Sequence, residues 1–273
     1  MTDVGAPSSF DPWPDQHVHV EWGPLGARLA AERGDAVVVV DVLSFSTTLD
    51  VAVSRDFTCH VYSGAEIDAM GGLQAAADSM GARPLSKRRR VPPGQVSLSP
   101  QSLLHAEPGQ RVLFTSLNGA AAAGAAAAAP ALLVGGLRNA TACARAVARL
   151  LDEQVARRVT VVACGEHWSS TQPHVEGMRP SLEDWIGAGV ICDRLAQEGR
   201  TLSPEAQVAA GAARSPGPAV LADCVSAREL VAAGFDDDVA LALQVDVSGV
   251  VPTRLPGDPS GRVFTAPPVP VAD

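Results

Sequence analysis

Carboxylates that leave a buried strand into a run of hydroxyls carry the chemistry most legible in this sequence, and Asp41 is the clearest of them. It follows the apolar run Ala36–Val40 and opens the segment Asp41-Val-Leu-Ser-Phe-Ser-Thr-Thr48. The hydroxyls of Ser46, Thr47 and Thr48, with backbone N–H groups at a helix start, suit the oxygens of a phosphate. The carboxylate of Asp41 can hold Mg2+ or act on the substrate directly. The same residue types also serve as punctuation, Ser46 or Thr47 as a helix cap and Asp41 as the close of a turn. On this segment alone both readings stand.

Further strand ends offer matching groups. Thr115-Ser-Leu-Asn-Gly119 places Ser116, Asn118 and Gly119 where a backbone can approach an anion closely, or where a plain turn is needed. Asn139 precedes Ala140 and Thr141 after the Leu132–Gly136 run, as an anion-binding amide or a simple cap. Cys164 ends the Val159–Ala163 run and is either an inert buried thiol or part of the site. A phosphatase loop of the cysteine type needs an arginine six residues after the cysteine, and Ser170 stands there. Ser181-Leu-Glu-Asp184 opens a helix with the spacing of a capping box, which leaves Glu183 as the candidate general base or holder of a metal-bound water.

These residues need a scaffold that brings strand ends together. Apolar runs at His17–Trp22, Ala36–Val40, Thr58–Tyr62, Val112–Thr115, Leu132–Val134 and Val159–Ala163 read as strands, separated by Ala-rich helical stretches. Ala36–Val40 shows no polar alternation, as expected of a strand covered on both faces. The expected fold is α/β, three layers of α/β/α around a largely parallel or mixed sheet, with ligands beyond the carboxyl ends of the strands. Ala120–Ala129 reads as a helix lying close to the sheet. Residues 1–15 and 256–273 read as flexible arms outside a single domain of residues 16–255. Two long loops, Ser86–Pro108 and His167–Pro180, stand out as functional candidates.

Composition narrows the partners. A length of 273 residues and a net charge of −9 fit one large acidic domain without a general attraction for nucleic acid or anionic lipid. Five scattered cysteines argue against a disulfide framework, and with no membrane-length apolar run the expectation is a cytoplasmic protein. His17-Val-His19 has a spacing used by metal sites but lacks a third ligand nearby, and Lys87–Arg90 is either a solvated run or an attractor of anions. Glycine-rich nucleotide loops, GxSxG and HExxH are absent, and Leu43 occupies the position of the second acid in aspartate-nucleophile phosphatases. The expected partner is a small anionic metabolite; whether the chain forms a homo-oligomer is left open.

Taken together, the segments resemble the 2-phosphosulfolactate phosphatase family. The resemblance runs from about Val18 to Pro252. It rests on Val39-Val-Asp41-Val-Leu-x-x-Ser-Thr-Thr48, Thr115-x-x-Asn-Gly119, Gly136-Leu-x-Asn-Ala140, Ala163-Cys-Gly165 and Ser181-Leu-Glu-Asp-x-x-x-Ala-Gly189. Ser226-Ala-Arg-Glu-Leu-x-x-x-Gly-Phe-x-x-Asp-Val239 adds to it. The resemblance implies a Mg2+-dependent hydrolase of a small phosphate monoester, with Asp41, Asn118, Cys164, Glu183 and Asp184 at matching positions. Asp41, Glu183 and Cys164 are then the catalytic candidates and Asp41 with Asp184 the metal candidates. Ser46, Thr47, Thr48, Ser116, Asn118, Gly119 and Asn139 are the substrate-binding candidates.

One stretch departs from the pattern. Where the family carries Gly-Glu-Arg and then Gly-Phe-Asp-x-Gly-Asn-Ser-Pro, this chain has Leu85-Ser-Lys-Arg-Arg-Arg-Val-Pro-Pro-Gly-Gln-Val-Ser-Leu-Ser-Pro100, without either acid. Losing carboxylates and gaining cations shifts the local field from Mg2+ toward anions. The alternative expectation is a catalytically altered member that binds a phosphorylated or sulfonated metabolite.

Overall fold

The computed structural model describes residues 15–266, except 86, 87, 89, 90, 93, 94, 171, 173 and 259 and the side chain of Ser170. Residues 1–14 of the expected N-terminal arm, and the tail beyond 266, lie outside the described residues.

Strands β1 (Val18–Trp22), β2 (Ala36–Val40), β3 (Thr58–Tyr62), β4 (Arg83–Pro84), β5 (Arg111–Thr115), β6 (Leu132–Gly135) and β7 (Val159–Ala163) come first. A small hairpin of β8 (Glu166–His167) and β9 (Met178–Arg179) follows, and β10 (Thr253–Arg254) and β11 (Val263–Thr265) come last. All but the hairpin join one sheet in the order β1-β7-β2-β6-β10-β11-β3-β5-β4. The blocks β1-β7-β2-β6 and β3-β5-β4 are parallel within themselves. Antiparallel pairings of β10 and β11 join them. The fold is therefore α/β with a mixed, mostly parallel sheet, as the sequence predicts.

The helices are α1 (Gly23–Glu32), α2 (Phe45–Ser54), α3 (Gly64–Ala69), α4 (Leu73–Met80), α5 (Pro100–Leu103) and α6 (Gly119–Ala125) in the first half. The second half adds α7 (Ala140–Asp152), α8 (Leu182–Gln197), α9 (Pro204–Arg214), α10 (Val225–Ala232) and α11 (Asp236–Ala242). The unbroken apolarity of β2 now has its cause. Ala36, Val38 and Val40 pack into a core shared with α7, α8 and α9, while Val37 and Val39 pack into a second core with α1, α2 and α6.

Small residues set how closely these layers approach. In α8 a Cβ on Gly189 would come within 2.1 Å of the Ala209 carbonyl oxygen in α9, and one on Gly187 within 2.7 Å of Val42 Cγ2. Gly187 thus seats α8 directly over the end of β2, which fixes where its first turn, with Glu183 and Asp184, falls, and Gly189 lets α9 close against α8. The alanine tract behaves likewise, although α6 ends at Ala125 and a turn continues to Ala129. Ala126 and Ala129 remain buried.

Three expectations change. The C-terminal stretch from Pro256 was expected outside the core, yet Val263–Thr265 forms a strand between β10 and β3, with Phe264 fully buried. It fills the seam between the two parallel blocks, a tertiary role that three residues cannot announce by alternation. The Ser86–Pro108 loop contains α5, and Val96, Ser97 and Leu103 are buried in it. The His167–Pro180 loop carries the short helical turn Trp168–Ser170 and returns through β9 to pair with β8.

Candidate active site

Asp41 leaves β2 and is almost wholly buried. Its Oδ1 accepts the N–H of Phe45 at 3.1 Å and its Oδ2 the N–H of Gly119 at 3.0 Å, so one carboxylate holds the starts of α2 and α6. Ser46 Oγ in turn accepts the N–H of Asp41 at 2.9 Å. The turn-closing reading of Asp41 is thus realised. Burial first, then the neighbouring Glu166 carboxylate, push the Asp41 carboxyl up to about 7, against the two N–H groups that favour the anion.

A cavity of about 300 Å³ opens beside it, lined by Asp41, Ser44, Thr48, Arg88, Ser116, Asn118, Glu166 and Glu229 among others. Thr48, Ser116 and Asn118 are therefore brought together with Asp41. The Asn118 side chain does not cap α6. Gly119 contributes its amide to Asp41, and a Cβ there would lie 2.3 Å from the Phe45 ring, so only glycine lets α6 start this close.

Other predicted residues lie elsewhere. Thr47 Oγ1 donates to the Val42 carbonyl at 2.9 Å, and neither Ser46 nor Thr47 lines the cavity. Asn139 accepts from Gly136 N–H at 2.9 Å and donates to the carbonyls of Val134 and Val250. It ties β6 to the C-terminal segment rather than capping α7 or facing the cavity. His17 lies outside β1 with its Nδ1 2.8 Å from Thr201 Oγ1, and His19 Nε2 is 3.3 Å from the Gln16 carbonyl.

Asp184 mirrors Asp41 on the other side of the Asp41–Ser44 turn. Its Oδ1 accepts Val42 N–H at 2.8 Å; its Oδ2 accepts Gly165 N–H at 2.9 Å and the Ser181 hydroxyl at 2.7 Å. The expected capping box is replaced, because Ser181 gives its proton to Asp184 instead of accepting from the helix. With three donors spent on it and no face on the cavity, Asp184 positions β2, β7 and α8; the metal role expected for it does not fit this placement. Burial, then Asp41, raise its carboxyl well above the usual range. Cys164 is buried as well, and desolvation followed by Asp41 and Asp184 push its thiol well up. That is the environment of a protonated thiol, not of a nucleophile. Glu183 is buried off the cavity, with the Cys224 thiol donating to it at 3.4 Å.

Residues 27–255 match the model of one known protein family, described as 2-phosphosulpholactate phosphatase. The chain belongs to that family. The match spans most of the 273 residues and takes in β2 to β10, leaving only β1 and β11 of the sheet outside it.

Sequence reasoning weighed Arg88 only as part of the Lys87–Arg90 run and passed over three lining residues of this family member: Ser44, Glu166 and Glu229. Signals were present for the last two. Glu166 directly follows the Ala163-Cys-Gly165 motif, and Glu229 lies inside the C-terminal motif that begins at Ser226. Glu229 is offset by Arg179, whose buried Nη2 lies 3.7 Å away. Of the basic run Lys87–Arg90, only Arg88 falls among the described residues.

The fit of Mg2+ turns on which carboxylates face one space. Among the described residues no three His, Cys, Asp or Glu side chains converge as a cage. Asp41 and Glu166 nevertheless line the same cavity, and the Glu166 carboxylate helps to raise the Asp41 carboxyl. Mg2+ is commonly held by one or two carboxylates, with waters and substrate oxygens completing its shell, so this pair suits it. Among the described residues no helix is long and apolar enough to cross a membrane.

Proposed function

We propose that the chain is a Mg2+-dependent hydrolase of a small phosphate monoester, of the kind the family description names. The observation that carries this is the meeting of Asp41 and Glu166 with Thr48, Ser116 and Asn118 around one small cavity in a member of a phosphatase family. Asp41 and Glu166 would hold the ion, which when bound neutralises phosphoryl charge and makes water a better nucleophile. Ser116 and Asn118 donate hydrogen bonds to the phosphoryl oxygens as charge builds on them, while Thr48, whose hydroxyl donates to the Ser44 carbonyl at 2.8 Å, forms the wall beside them. Glu166, which lines the same cavity, accepts the proton of the attacking water as the new P–O bond forms, and that proton passes to the alkoxide oxygen as the P–O bond to the alcohol breaks. Asp184 and Cys164 sit behind and keep the Asp41 turn in place. The five cysteines are free and buried, as suits a reducing compartment, and we place the protein in the cytoplasm with a small anionic metabolite as its partner.

A second reading is favoured by the stretch from Leu85 to Pro100. It supplies Arg88 to the cavity and no carboxylate, as a binding protein for a phosphorylated or sulfonated metabolite would. Phosphate release from 2-phosphosulpholactate and a panel of short-chain phosphate monoesters, with Mg2+ and with excess chelator, separates the two. Release that requires Mg2+ supports the hydrolase. Tight binding of an ester with no release under any metal condition establishes the binding protein.

A further inference from the structure

We propose that Arg88 is the specificity-determining residue of this site, receiving a second oxyanion (carboxylate or sulfonate) of the substrate, and that Asp238 is its positioning residue. The proposal rests on the reading of the cavity as a phosphate-ester site. It starts from how the guanidinium is held. Arg88 Nη1 donates to Asp238 Oδ2 at 2.6 Å, and Asp238 is only 1% exposed. The other oxygen of Asp238 is already occupied by the Ser99 hydroxyl at 2.5 Å and the Gln101 N–H at 3.2 Å. The Phe235 ring lies 5.6 Å from the guanidinium carbon. One side of the guanidinium is thus fixed by a buried carboxylate and an aromatic face. The other side meets the cavity, where Nη2 donates to Ser44 Oγ.

Such an arrangement differs from a surface ion pair. Exposed pairs are mobile and weakly coupled, whereas here a carboxylate that cannot leave its pocket holds a planar, permanently charged fork against a ligand cavity. A guanidinium held this way is preorganised for a planar or tetrahedral oxyanion. The phosphoryl group has its own partners in Ser116 and Asn118, and in the ion that the Asp41–Glu166 pair would hold. That leaves Arg88 to read a different anionic group on the same molecule. The charge of Glu229, another lining residue, is offset inside the chain by Arg179 and does not compete for Arg88.

The test is calorimetric binding, without divalent metal, of two probes that differ in one group: 2-phosphoglycolate, with a carboxylate beside its phosphate, and ethyl phosphate, without one. Wild type should prefer 2-phosphoglycolate by about tenfold or more, the scale of one charge-assisted pair. Arg88→Ala should bring the preference below about threefold while ethyl phosphate binds within about twofold of wild type. Arg88→Lys should restore part of it, and Asp238→Asn should reduce it with Arg88 still present. Because Arg88→Ala strands a buried carboxylate, the double variant Arg88→Ala/Asp238→Asn decides the matter if the single one does not fold. The proposal is overturned if wild type shows no preference, if the preference survives removal of Arg88, or if both probes weaken equally. Absence of phosphate release by wild type would count against the hydrolase reading and leave this binding comparison intact.

Discussion

Asp41 Oδ2 accepts the backbone N–H of Gly119 at 3.0 Å across 78 positions of sequence. That single contact joins the end of β2 to the start of α6, from the other parallel block, and it places Ser116 and Asn118 beside the acid. The site is therefore a product of the sheet's two halves meeting, and its geometry depends on how closely α6 can start.

Gly119→Ala tests that dependence. The new Cβ would overlap the Phe45 ring, 2.3 Å away, and α6 must retreat from Asp41. A loss of about 1–3 kcal/mol in unfolding free energy is expected from such overpacking. Urea titration measures it, and phosphate release should fall more than the stability loss explains.

The raised Asp41 carboxyl makes stability depend on pH with a definite sign. The folded chain holds this proton up to about 7, while in the unfolded chain it leaves near 3.8. Between those values unfolding releases a proton, so stability is full below the lower value and declines as pH rises through the window. Asp41→Asn has no such proton. Its stability relative to wild type should improve by on the order of 3 kcal/mol from about pH 4 to about pH 7, read from urea midpoints at each pH. A constant difference across the window would show that Asp41 is not raised.

Much of this arrangement could be read from residue order. The β2 run, the hydroxyl-rich turn after Asp41 and the Thr115–Gly119 turn all announce strand ends, and strand ends of a parallel sheet converge. The sequence is silent where partners come from tertiary packing. Whether Asp184 faces a ligand or three internal donors depends on Gly187 seating α8 over Val42. Ser46 and Thr48 look alike in sequence, yet Ser46 turns back to β2 and only Thr48 lines the cavity, because they lie two positions apart on a helix. Phe264 and Arg88 act far from their neighbours in sequence, and neither carries a periodic signal.

Glu166 and Glu183 are separated by the same logic. Glu166→Gln should lower turnover by roughly 10²-fold, the lower end of what a general base contributes, with the Mg2+ requirement shifted upward. Glu183→Gln, buried beside Cys224 and off the cavity, should keep turnover within about fivefold. Steady-state kinetics over a Mg2+ titration reads both. The reverse ranking would return the base role to Glu183.

Cys164→Ala separates a supporting thiol from a nucleophile. With a protonated, buried thiol behind Asp41, turnover should stay within about threefold and stability should drop by about 1 kcal/mol for the lost packing. A loss of about 10³-fold or more in turnover, in a folded variant, would mean that the sulfur takes part in the reaction.

The central claim is that Asp41 serves the reaction at this cavity and does more than close a turn. Its most direct measurement is the rate of phosphate release, with saturating Mg2+, by wild type and by Asp41→Asn of verified fold. The account predicts that the substitution, which keeps the shape but removes the charge, lowers turnover by about 10²-fold or more. Turnover unchanged in Asp41→Asn would contradict it.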